Sequence, residues 1–300
     1  MLAIARYSLK SPFHASTVVG LLAILSLFVP LVSILSGAIV GLIILTQGLF
    51  SGTRALLISI AGITVVSYLV TQSPLLGVTI GLVQWVPMVI LAEILRRSRS
   101  LSLTIVSGMW LSLLLVVIQY QFWPDIDQLW AEYLKLLFKD YQQPGMDIDQ
   151  FNLAIQELVH WMVMLLVAVM FSTFVATLMA SRWFQARIAG SEGFRAEFYA
   201  VKLGKSAAII ALLFGLLGFA LKQDMIVAML MVVLATFLYQ GLAVVHSWSR
   251  HSGKKAWLVL LYVMMVIFPQ ALGLIALLGV VDNWMDFRKN WKSVPSTIDE

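Results

Sequence analysis

Charged residues fall in a few short clusters along this chain, and the stretches between them are apolar. No Asp, Glu, Lys or Arg occurs from Val18 to Phe50 or from Ala55 to Ala92. A hydrocarbon core of about 30 Å takes roughly 20 apolar residues per helical crossing. The pattern therefore predicts an all-α, polytopic transmembrane helical bundle. The run 14–50 exceeds one crossing, and Pro30 divides it, because proline removes a donor and clashes with the preceding turn. That gives helices over about 14–30 and about 33–50. Further apolar stretches predict helices over about 55–71, 76–95, 101–122, 157–181, 206–221, 225–247 and 256–281, about nine membrane helices in all.

One hydrophilic loop of some size remains, 123–156. It carries Asp125, Asp127, Glu132, Asp140, Asp147 and Asp149 against Lys135 and Lys139. Within it Ile126, Leu129, Trp130, Tyr133, Leu134, Leu137, Phe138 and Tyr141 recur at helical spacing, which predicts an amphipathic helix over 127–141, ended by Pro144-Gly145. Its acidic flanks suit docking on protein better than on an anionic leaflet.

The basic clusters set an orientation. Arg6 and Lys10, Arg54, the Arg96 cluster, Arg182 to Lys205, and Arg250 to Lys255 fall on one side if each stretch crosses once. By the positive-inside rule that side is the cytoplasm, with the N-terminus there and the acidic loop outside. Nine crossings would put Arg288, Lys289 and Lys292 outside, against the rule. Pro269-Gln270 offers a re-entrant alternative, so the side of the C-terminus stays open. Arg6 and Lys10 before the first apolar run, with no small-residue cleavage site after a short apolar region, read as an uncleaved signal anchor.

Composition narrows the function classes. Hydrophobic residues make up 61% of the 300 and charged ones 12%, where soluble domains carry about 25% charge. Little chain is left outside the membrane, and none for a separate catalytic domain. The net charge of +5 lies in residues that bracket apolar spans, so it marks topology and no nucleic-acid partner. The absence of cysteine excludes disulfides, thiolate metal sites and cysteine nucleophiles. No Walker-type loop, His-Glu-x-x-His or Gly-x-Ser-x-Gly is present. The expectation is a protein that is not an enzyme, with no catalytic residues, metal site or cofactor.

Charge inside a membrane is expensive and usually functional, and the predicted spans carry almost none. Glu93, within a turn of Arg96 and Arg97, reads as a boundary ion pair. His160 and His246 read as hydrogen-bonded histidines near helix ends. The neutral polar residues that remain deep in the spans are Gln47, Gln84, Gln240 and Gln270. Gln84-Trp85 beside Pro87 is the most suggestive pair, because proline frees a carbonyl next to an amide and an indole. Ser33, Gly37 and Gly41, and Gly77 and Gly81, have the spacing of close helix packing. Trp110, Trp123, Trp161, Trp183, Trp248, Trp257 and Trp284 lie near span ends, as interfacial anchors do.

The stretch Tyr239-Gln240-Gly241-Leu242-Ala243-Val244-Val245-His246 precedes a basic turn. A long span then closes on Leu277-Leu278-Gly279-Val280-Val281-Asp282-Asn283-Trp284-Met285-Asp286-Phe287-Arg288-Lys289. Together they resemble the YybS-like family of bacterial inner-membrane proteins, and the order of spans is similar over nearly the whole chain. That family is thought to be related to the substrate-binding S components of energy-coupling-factor transporters. The resemblance implies a multi-pass protein of the bacterial inner membrane, with a six-helix S-component-like core and three further helices. The corresponding ranges are 1–183 for the core, 184–205 for a basic cytoplasmic connector and 206–300 for the C-terminal segment. It also implies a membrane subunit or ATP-driven module as partner, beside the lipid bilayer and a small molecule. S components often dock through Ala-x-x-x-Ala in their first helix, where this chain has Ser16 and Gly20.

Two function classes follow. One is a small-molecule binding or transport component, with Gln84, Trp85, Gln119 and Tyr120 lining a pocket that opens outside. The other is a non-transporting membrane scaffold or assembly factor, packed solid. A cavity separates them.

Overall fold

Between the charged clusters the chain is helical, as an apolar segment has to be to satisfy its own backbone in lipid. The structure, a computed structural model, describes residues 1–26, 29, 31–138 and 148–289. Its helices are α1 (Leu2–Ser8), α2 (Pro12–Ser26), α3 (Val32–Gln47), α4 (Leu49–Thr71), α5 (Pro74–Ser98), α6 (Leu101–Phe122), α7 (Ile126–Leu137), α8 (Ile148–Ile188), α9 (Gly193–Tyr199), α10 (Lys205–Leu221), α11 (Asp224–Ser252), α12 (Ala256–Ile267) and α13 (Gln270–Met285). No strand occurs among the described residues. Five helices, α4, α5, α6, α8 and α11, are long and apolar enough to cross a membrane, and α2, α3, α10, α12 and α13 are apolar but shorter. This is the expected polytopic helical bundle.

The ninth predicted stretch is divided. Pro269 has no N–H to continue a helix, and its ring disfavours helical geometry in the residue before it. Phe268 accordingly sits at φ −123°, ψ 88°, and α12 ends there. None of the α12 residues is buried, whereas α13 buries Ile275, Ala276, Gly279, Val280, Asp282 and Asn283.

Two compact units form, each from two stretches of chain: Met1–Gly108 with Ser172–Lys202, and Met109–Phe171 with Leu203–Glu300. In the first unit α2 to α5 pack on one another. Their small residues are the reason they approach closely. A methyl group at Gly77 would lie 2.6 Å from the Thr64 Cα, and one at Gly37 2.8 Å from the Thr177 methyl. The glycine spacing read from the sequence is thus spent inside this unit. So is Ser16, whose hydroxyl donates to the Ala55 carbonyl at 3.1 Å.

In the second unit α11 and α13 form the main pair, with α10 against both. An added Cβ at Gly241 would overlap the Ile275 carbonyl, and one at Gly279 the Phe237 carbonyl. The two backbones touch there, which only glycine permits. The amphipathic helix α7 turns Leu134, Trp130, Ile126 and Ala131 onto Ile155, Val159 and Val163 of α8. Phe138 caps α7 and packs on the same cluster, while the rest of the predicted range, 139–141, the Pro144-Gly145 stop and Pro30 lie outside the described residues. Trp110, Trp123, Trp161, Trp183, Trp257 and Trp284 are exposed, as interfacial anchors require.

Candidate functional site

The last turn of α5 gathers positive charge. Glu93 and Arg96, three residues apart on the helix, meet in a fork, Nε to Oε2 at 2.7 Å and Nη2 to Oε1 at 2.8 Å. Arg97 donates from its Nε to the same carboxylate at 2.5 Å. The boundary ion pair read from the sequence is therefore a triad. The helix then stops at Arg99, which takes a left-handed conformation (φ 52°) with its N–H on the Leu95 carbonyl. Among the described residues the Arg99 guanidinium has no partner.

Near the end of α8 a second arginine is prepared. Arg182 forks onto the Glu197 carboxylate of α9, with Nε to Oε2 at 2.9 Å. Its Nη1 donates to the Gln185 Oε1 at 2.9 Å. Gln185 in turn donates to the Leu45 carbonyl of α3 at 2.8 Å, fixing its amide. These side chains border an open cavity of about 430 Å³ lined by Leu45, Leu95, Arg96, Arg99, Arg182, Gln185 and Glu197. The volume lies within the range of about 300–1,000 Å³ typical of ligand sites. Three guanidiniums, one carboxylate, one amide and two leucines suit an anion with an organic part. Arginine's planar fork pairs two donors with a carboxylate or phosphate.

None of the four residues singled out from the sequence is in that wall. Gln84 is half-buried and its Nε2 donates to the Ser33 carbonyl at 3.0 Å. Trp85 is fully buried, with Nε1 on the Ser36 hydroxyl at 3.2 Å. Gln119 is buried and donates to the Val163 carbonyl at 3.1 Å. Tyr120 is half-buried. Gln84 and Trp85 belong to the first unit, Gln119 and Tyr120 to the second. The three amide and indole donors are each engaged in helix-to-helix hydrogen bonds.

The second unit contains a polar network that sequence reasoning missed. Asp282 is completely buried. Its Oδ2 accepts from Gln240 Nε2 at 2.8 Å and from Arg288 Nη2 at 2.6 Å. Its Oδ1 accepts from the Phe287 N–H at 3.2 Å. Gln240 Oε1 accepts from the Leu203 N–H at 2.9 Å, and Asn283 Oδ1 from the Gly204 N–H at 3.0 Å. The predicted last span ended at residue 281, just short of these groups. The available signal was an acid, an amide and a base closing an apolar run, with a glutamine-glycine pair in the span before. Gln240 meets the chain just ahead of α10, so it is level with that helix's start.

At the other end of the second unit, His160 Nε2 lies 3.8 Å from Asp224 Oδ1. Asp127, on α7, has its carboxyl pushed above the usual range by burial, with His160 pulling it down and Asp224 pushing it up. His246 is hydrogen-bonded at both nitrogens, Nδ1 to the Leu242 carbonyl at 2.9 Å and Nε2 to the Tyr262 hydroxyl at 3.2 Å. Among the described residues no cluster of three or more His, Asp or Glu is placed to hold a metal.

Residues 17–283 match the model of the family described as "Predicted membrane protein (DUF2232)", and the chain belongs to that family. No curated protein and no solved structure matches it significantly.

Proposed function

We propose that this member of the predicted membrane protein family is a non-enzymatic, small-molecule binding component of the bacterial inner membrane, and that its ligand is an anion held on the cytoplasmic side. The observation that carries the reading is the arginine-lined cavity of about 430 Å³. The basic segments supply the side, since the positive-inside rule places Arg96, Arg99 and Arg182 in the cytoplasm. Gln84, Trp85, Gln119 and Tyr120 drop out as first-choice liners, because three of them already staple helices. The resemblance to S components supports a binding role but sets the pocket on the opposite side. Ser16, at the position where such proteins dock a coupling subunit, faces α4 instead.

The scaffold reading draws on the same hydrogen bonds, of which those of Gln84 and Trp85 join helices of the first unit and that of Gln119 joins helices of the second. Native mass spectrometry of protein released from its membrane separates the two. A binding component retains a small anion, and Arg99→Asn loses it. Asparagine removes the charge while tolerating the left-handed backbone. A scaffold retains no small molecule in either form.

A further inference from the structure

We infer that the arginine cavity is a phosphomonoester site in which Glu197 occupies the Arg182 fork as an internal competitor. This rests on the anion-binding reading above and adds the chemical class. Charge gives the first argument. The wall holds Arg96, Arg99 and Arg182 against Glu197, an excess of two cations, and counting Arg97 with Glu93 leaves that excess unchanged. A carboxylate would neutralise half of it. A phosphomonoester carries about −1.5 to −2 at pH 7 and matches it.

Geometry gives the second argument. The guanidiniums come from two elements, the end of α5 and the end of α8, and converge on one space. That arrangement suits the several outward oxygens of a phosphate better than the two coplanar oxygens of a carboxylate. Arg99 is the group that reaches a ligand first, since nothing among the described residues engages it. Arg182 is held by both Glu197 oxygens, the contact a phosphate would make with two of its own. Glu197 sits on the seven-residue helix α9, bounded by Gly190 and Gly204 at φ 69° and 92°, so that helix is joined to its neighbours through two left-handed glycines. Leu45 and Leu95 complete the wall, so the phosphate is expected to be an ester with an apolar portion. A soluble ester and a lipid phosphate share this chemistry.

The test uses the full chain in phosphatidylcholine nanodiscs, titrated with phenyl phosphate, and in a second series with phosphatidic acid incorporated at increasing fractions. Binding is read by microscale thermophoresis for the soluble ester and by retained lipid in native mass spectra. Glu197→Gln should bind about threefold tighter, the range a partly exposed ion pair controls. Arg99→Asn should bind at least about tenfold weaker, as losing a charged hydrogen bond implies. Saturation by phenyl phosphate assigns a soluble source. Selective retention of phosphatidic acid without phenyl phosphate binding assigns a lipid source. Either outcome supports the site, provided both variants shift it as stated and unfold at the wild-type temperature. No binding in either series overturns the phosphate class, as does Glu197→Gln binding no tighter than wild type. If native spectra still show a different anion that Arg99→Asn loses, the anion-binding reading stands and only the class fails.

Discussion

Arg182 and Arg288 each fork onto or meet a carboxylate, one in each unit, and their surroundings are unlike. The side chains of Arg182 and Glu197 keep 21% and 35% of their surface exposed. Those of Arg288 and Asp282 keep 8% and 0%. Around Asp282 every polar neighbour is used: Gln240, Asn283, the Phe287 N–H and the N–H groups of Leu203 and Gly204 close on one another. Around Arg182 the charges do not balance and the space is open. A sealed, fully satisfied network holds helices in place. An open one with surplus cations is prepared to meet something else. Burial and satisfaction, more than residue type, separate a structural ion pair from a binding one.

The sharpest break in this comparison is Asp282→Ala. Removing one partner of a buried pair leaves the other uncompensated, at a cost of about 3–5 kcal/mol. Thermal unfolding in detergent should show this as a large loss or as failure to accumulate. Glu197→Gln, by contrast, should cost less than about 1 kcal/mol. Equal effects would erase the distinction between the two sites. Gly279→Ala comes next. The new methyl would overlap the Phe237 carbonyl, and forcing a tight contact apart costs about 1–3 kcal/mol. The α11–α13 pair should loosen while the arginine cavity keeps its ligand.

Gln84→Leu and Gln119→Leu should each lose about 0.5–1.5 kcal/mol, the net worth of one hydrogen bond, with ligand retention unchanged. Loss of ligand by Gln84→Leu at unchanged stability would restore it as a liner. The smallest effect belongs to Asp127. Its folded-state carboxyl is raised above the usual range, so the folded protein holds that proton more tightly than the unfolded chain. Its unfavourable contribution grows as pH rises from the ordinary carboxylate range to the raised folded value, is complete above that value, and vanishes below the ordinary range. Asp127→Asn should therefore raise the unfolding temperature slightly at pH 7 and not at pH 3.5.

The membrane architecture was legible because charge-free runs of about 20 residues have few other uses. The amphipathic α7 was legible too, since its periodicity needs a partner surface. Pro269 was visible as a possible break, yet an apolar run over 256–281 has the length of one crossing, and either half of it is shorter than the roughly 20 residues a crossing takes. Phe268 shows the local geometry deciding otherwise. The Asp282 network lay out of reach for a different reason. Gln240 and Asp282 are joined across two helix breaks, and no periodicity encodes which of many polar groups will meet. Arg288 looked like a loop charge bearing on topology, but it is buried against Asp282 and so carries less weight as an exposed determinant. The arginine cavity was half legible. Each basic cluster was evident, but not that α5 and α8 bring theirs to one place. Gln84 and Trp85 were legible only as alternatives, because an amide and an indole beside a proline look alike whether they line a pocket or join helices, and here they bond to Ser33 and Ser36.

The most direct test of a binding cavity on the cytoplasmic side is sided labelling, which the absence of cysteine makes clean. Arg99→Cys places a thiol in the cavity wall, and Ser191→Cys places one in the exposed turn between α8 and α9. A membrane-impermeant maleimide should modify both in inside-out vesicles and neither in right-side-out vesicles. Modification of either position in right-side-out vesicles would put the arginine cavity on the outer face and contradict the assignment.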